Sequence, residues 1–128
     1  MEKAILVNLA VNAKQKLEAE ESMDELAGLA RAAGAAVAEK VFQVRPSISP
    51  KFFIGEGKVE EIKRIANEID AGLVIFDHVL RPTQLRSLEK TLDVKVIDRT
   101  QLILDIFAQR ARSNEGKLQV ELAQLSYL

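Results

Sequence analysis

Four consecutive residues, Gly55-Glu56-Gly57-Lys58, come nearest to a chemical motif in this chain. They follow a short apolar run, Phe52-Phe53-Ile54, and open a helical pattern. Backbone N–H groups at a helix start, with a lysine beside them, can meet an anion. Gly55, Gly57 and Lys58 are therefore a candidate nucleotide-binding turn. The spacing is not that of a Walker A loop, which needs four residues between its glycines and Ser or Thr after the lysine. Glu56 also repels phosphate. The alternative reading is a tight strand-to-helix turn. Asp77 lies just past a strand-like run, where a phospho-accepting aspartate could sit. A magnesium site there needs acidic residues at the end of the first strand, and that end reads Asn8-Leu9-Ala10-Val11-Asn12. Asp77 thus reads as a capping or turn residue and His78 as a loop residue without a catalytic partner. No catalytic residue is assigned.

A second constellation is basic. Arg99, Arg110, Arg112 and Lys117 lie in the last third of the chain, and Arg45 and Lys51 lie in a proline-flanked loop. Together they could form a local surface for RNA phosphates. Asp105, Glu115 and Glu121 dilute it, and a solvated helix face with i,i+4 pairs is the plain alternative. The formal net charge of −1 means that overall charge does not announce a nucleic-acid binder. The chain has no cysteine and one histidine, which excludes disulfides and thiolate metal sites and argues against a histidine-built one. No metal ligand is assigned. No apolar run reaches membrane-spanning length and the N-terminus lacks a signal-peptide pattern, so a cytoplasmic location is expected.

The elements that must position these residues alternate. Ala4 to Leu9 is a nearly all-apolar run, the pattern of a strand buried on both faces. Lys14 to Glu21 reads as an exposed loop. Ser22 and Glu25 fit a capping box, Leu26, Leu29, Ala30 and Ala33 follow at helical spacing, and Gly34 closes the helix. Ala35 to Val44 reads as a second strand, Arg45 to Lys51 as a loop, and Phe52 to Ile54 as a short edge strand. Lys58 to Asp70 is a helix ended by Gly72. Leu73 to Phe76 is a third strand, Pro82 opens a further helix, and Val94 to Ile97 is a fourth strand. Asp98 or Thr100 caps the last helix. This alternation predicts an α/β fold. The expected core is a four-stranded, mainly parallel sheet in the order 2-1-3-4, with helices on both faces and a switch point beside the first strand.

The final segment reads as one helix from Thr100 to Leu128, about 42 Å long at 1.5 Å per residue. Leu102, Ile103, Ile106 and Phe107 can pack on the sheet, and a polar middle follows. Leu118, Leu122, Leu125 and Leu128 then form a second apolar stripe. That stripe is too far from the base to reach the α/β domain, so it is expected to meet an antiparallel return helix that the chain lacks, or the same stripe of a second copy in a dimer. Gly116 beside Asn114 marks a possible bend. The chain is accordingly expected to be a fragment, with an α/β subdomain at 1–98 and a truncated hairpin arm at 99–128.

Several segments together resemble the HflX family of ribosome-associated GTPases. They are Val96 to Thr100, Ile103 to Arg112 and Glu115 to Leu125, with Phe53 to Glu61, Val74 to Asp77, Leu80, Pro82 and Gln84 as earlier motifs. Asp77 to Pro82 departs from the more acidic pattern of that family. The resemblance implies an N-terminal domain in which an α/β subdomain precedes a two-helix hairpin, followed in the family by a GTPase domain that holds GTP and magnesium. It implies binding to the large ribosomal subunit and its RNA, a role in dissociating ribosomes, contacts with the protein's own GTPase domain, and, for some members, ATP binding through this region. No cofactor is expected in the residues given.

Overall fold

The structure, a computed structural model, describes residues 1–111 of the 128. Arg112, Lys117, the bend at Gly116 and the leucine stripe from Leu118 to Leu128 lie outside the described residues.

Four strands form one parallel sheet: β1 (Lys3–Ala10), β2 (Ala36–Val44), β3 (Leu73–Phe76) and β4 (Lys95–Asp98). Their order is β2-β1-β3-β4, as the alternation predicts. Four α-helices connect and follow them: α1 (Lys16–Ala32), α2 (Glu56–Ile69), α3 (Pro82–Leu92) and α4 (Arg99–Arg110). β1 is central and buried from Ala4 to Ala10. Successive side chains of a strand point to opposite faces, so Ile5, Val7 and Leu9 join one core and Ala4 and Leu6 the other. The first core takes Val59, Ile62 and Ala66 of α2 with Leu88 and Leu92 of α3. The second takes Met23, Leu26, Ala27 and Ala30 of α1 with Leu102 of α4. β2 is an edge strand and exposes Glu39, a charge that discourages pairing with another sheet.

Three boundaries differ from the sequence reading. Lys14 to Glu21 is not a loop: a 3-10 turn at Ala13–Gln15 runs straight into α1. Asn12 starts this turn, its Oδ1 accepting from the Gln15 N–H at 3.2 Å. Ser22 is therefore in the second turn of a longer helix and caps nothing. Its polar neighbours misled because only one side of α1 is buried. Phe52 to Ile54 is not a strand, since only an isolated bridge joins Ser49 and Phe53. α2 ends at Asp70, not Gly72, because Asp70 itself takes the left-handed conformation (φ 56°) that closes a helix. Gly34 does close α1, at φ 91°.

Both cores are tightly enclosed, so truncation should cost stability on either face. Leu88→Ala and Leu26→Ala, each at a fully buried position, should each lose about 2–5 kcal/mol in urea unfolding. Leu17→Ala, at a position 66% exposed, should stay within about 0.5 kcal/mol of the parent.

Candidate functional site

All four strands are parallel, so their carboxyl ends share one side of the sheet. The chain leaves β1 for β2 on one flank, and β3 lies on the other. Such a switch point is where open α/β sheets bind ligands. Here it gathers the polar side chains Asn8, Asp77 and Asp98, all buried.

The groups are tied in series. The Asp77 N–H continues the β1–β3 ladder by donating to the Val7 carbonyl at 2.8 Å. The next rung uses a side chain, with the Leu9 N–H donating to His78 Nε2 at 2.8 Å. His78 Nε2 is thus an acceptor, which places the imidazole proton on Nδ1. Asn8 Nδ2 donates to Asp77 Oδ2 at 3.0 Å, and Arg99 Nη1 donates to Asp77 Oδ1 at 2.6 Å. The Asp77 side chain has no solvent exposure, so its charge requires these partners. Arg99 also donates to Ser22 Oγ at 3.1 Å and to Glu25 Oε2 at 3.0 Å, both on α1. One residue earlier, Asp98 caps α4 by accepting from the Gln101 N–H through Oδ1 and holds the Leu80 N–H through Oδ2. The start of α4 is therefore fixed to β3 and to α1 at once.

An open crevice of about 220 Å³ adjoins this cluster, lined by Asn8, Gln15, Glu18, Ser22, Asp77 and His78 among others. Asn8 Oδ1 is buried and finds no hydrogen-bond partner among the described residues. The described residues contain no group of three or more His, Asp or Glu side chains able to hold a metal ion.

The sequence-assigned residues fall into separate places. Gly55 and Lys58 are engaged within the fold: the Gly55 N–H donates to Gln43 Oε1 at 2.9 Å, and Lys58 Nζ pairs with Glu61 at 2.7 Å. The partner of Gly55 thus comes from β2 and that of Lys58 from the next turn of α2. Arg45 and Lys51 share the β2–α2 loop at the carboxyl end of the sheet. Arg45 Nη1 donates to the Ser47 carbonyl, and Lys51 Nζ lies 5.0 Å from the centre of the Phe52 ring. Arg99 is inside the junction. Arg110 ends α4 at the opposite pole, beside Gln109, which donates to the Ala33 carbonyl at the amino end of the sheet. Sequence reasoning missed the roles of His78 and Ser22 and the pairing of Asp77 with Arg99. One signal was present: Asn8 is a lone amide in an otherwise apolar strand, which demands a buried partner.

The family of domains described as GTP-binding GTPase N-terminal matches residues 20–108. The fold and the match define an α/β N-terminal domain of a GTP-binding protein. Among its relatives, the GTPase HflX of Lacrimispora saccharolytica is 52% identical over 98% of this chain, and the GTPase HflX of Escherichia coli is 46% identical over 99%. A crystal structure of a GTP-binding protein from Sulfolobus solfataricus in complex with GDP matches 99% of this chain and 37% of its own, at 29% identity and a TM-score of 0.66. The chain belongs to the HflX GTPase family and corresponds to its N-terminal part. It spans 29% of the length of each of the two curated relatives.

His78 supplies a pH prediction. Burial lowers its pKa from 6.5; the nearby Asp77 charge opposes this and the Arg99 charge adds to it. The fold thus prefers neutral imidazole, and a protonated Nε2 could not accept from Leu9. A depressed histidine pKa contributes stability that is complete above the unfolded value of 6.5 and is lost as pH falls below it toward the folded value. Urea midpoints measured from about pH 7.5 down to pH 5 should fall for the parent more than for His78→Gln, which has no titration there.

Proposed function

We propose that this chain is the ribosome- and RNA-binding, regulatory N-terminal domain of an HflX-type GTPase, one that associates with the large ribosomal subunit and acts in ribosome dissociation. The observation that carries this reading is the 52% identity, across 98% of the chain, to a protein named GTPase HflX. On this reading the protein works in the cytoplasm. On the same reading, GTP and magnesium are held by the GTPase domain of the full-length protein and not by these residues. The residues described here bind and position, and do not hydrolyse.

The geometry supports a division of labour. Arg99 is the residue that sets the base of α4, held by Asp77 and Glu25. The phosphate contacts fall to Arg45 and Lys51 at the carboxyl end and to Arg110, with Arg112 and Lys117 beyond it in sequence. A domain that contacts phosphates releases counterions, so its affinity must fall with salt. Co-sedimentation of the chain with purified large ribosomal subunits tests this. Binding should be saturable and should weaken at least about tenfold between roughly 50 and 200 mM salt. No co-sedimentation, or binding indifferent to salt, would overturn the proposal.

A further inference from the structure

The exposed large apolar side chains of the described residues are not scattered. Apart from Met1, they are Val11, Leu17, Phe42, Val44, Ile48 and Val79, and each belongs to the carboxyl end of a strand, to the connection that follows it or, for Leu17, to the first turn of the next helix. Two of those connections, β2–α2 and β3–α3, face each other across a groove of about 240 Å³. It is lined by Ile48, Pro50 and Phe53 on one side and Val79, Arg81 and Gln84 on the other.

Three features make this groove a built site. The first is rigidity. Gln84 is buried, accepts from the Arg81 N–H at 2.9 Å through Oε1, and donates to the Ser49 carbonyl at 3.1 Å through Nε2. One side chain therefore ties both walls together. The second is stored strain. Phe53 takes φ 67°, a left-handed conformation that is strained for a bulky residue. It is held by two backbone bonds to Ser49 and by its ring, which lies 4.9 Å from the His78 ring and edge-on to Phe76. The third is charge. The β2–α2 loop carries Arg45 and Lys51, the other wall carries Arg81, and residues 44–55 contain no acidic side chain.

An apolar slot flanked by cations complements a planar ring attached to phosphates. Its volume suits a single base. The two walls are tied together by Gln84, and a slot of about 240 Å³ is too small to take a helical duplex. We propose that the groove takes an unpaired nucleotide of single-stranded RNA, with the base against Val79, Ile48 and Phe53 and the flanking phosphates on Arg81, Lys51 and Arg45. Unpaired bases are what proteins read in RNA, by contact with their faces and with cations along the backbone. This rests on the RNA-binding reading above and gives it a place in the fold that is separate from α4.

The test is fluorescence titration of the whole chain with a short uridine oligoribonucleotide, a duplex RNA of equal length, and ATP. Val79→Asp places a negative charge at a position 74% exposed, so the fold should tolerate it. It and Arg81→Ala should each weaken the uridine oligomer about tenfold or more, while Lys95→Ala at the opposite pole should leave binding unchanged. The duplex should bind more weakly than the oligomer, and ATP should not displace it. Equal affinity of the parent and both groove variants would overturn the inference, as would displacement by ATP or preference for the duplex. If the parent binds large subunits but no oligomer, the groove assignment fails and the ribosome-binding reading stands. If it binds neither, both fail.

Discussion

A single buried carboxylate organises this domain. Asp77 has no solvent exposure and lies at the point where the sheet changes direction. A charge there is tolerable only with close partners. The chain supplies one from β1 (Asn8) and one from the first residue of α4 (Arg99). Because Arg99 continues to Ser22 and Glu25, the demand of one carboxylate becomes a four-element junction. Asp98 reinforces it from the preceding position by capping α4 and holding the β3–α3 loop. The direction in which α4 leaves the sheet is set by this electrostatic requirement as much as by the apolar contacts of Leu102 and Ile106.

The same end of the sheet carries a second kind of order. His78 replaces a backbone acceptor in the ladder and supports the strained Phe53. Gln84 bridges the two loops beyond. These are polar devices that hold backbone in fixed positions around shallow, partly apolar surface. They are placed where parallel sheets bind their ligands, and among the described residues the opposite end of the sheet shows none of the exposed large apolar side chains apart from Met1.

Much of the fold was legible in the sequence because it rests on strong local patterns. Doubly buried strands read as nearly continuous apolar runs, as in Ala4 to Leu9, interrupted only by Asn8, and Leu73 to Phe76. Pro82, Gly34 and Asp98 mark helix ends by backbone geometry that few other residues satisfy. What failed to read was decided at a distance. The start of α1 was hidden because most of its first turns are solvated, and Ser22 looks like a cap until Arg99 is seen beside it. At the turn from Gly55 to Lys58, the sequence does not show that Gln43 and Glu61 are the partners of Gly55 and Lys58. Arg99 looked like an outward-facing cation, and only the fold brings it to Asp77, 22 positions away.

A double-mutant cycle on Asp77 and Arg99 tests the organising role of that pair most directly. Arg99→Ala alone should leave the carboxylate uncompensated and cost about 3–5 kcal/mol in urea unfolding. In the Asp77→Ala background the same change should cost far less, which gives a coupling of at least about 2 kcal/mol. Losses that simply add, within about 0.5 kcal/mol, would contradict the account and leave α4 anchored by its apolar contacts alone.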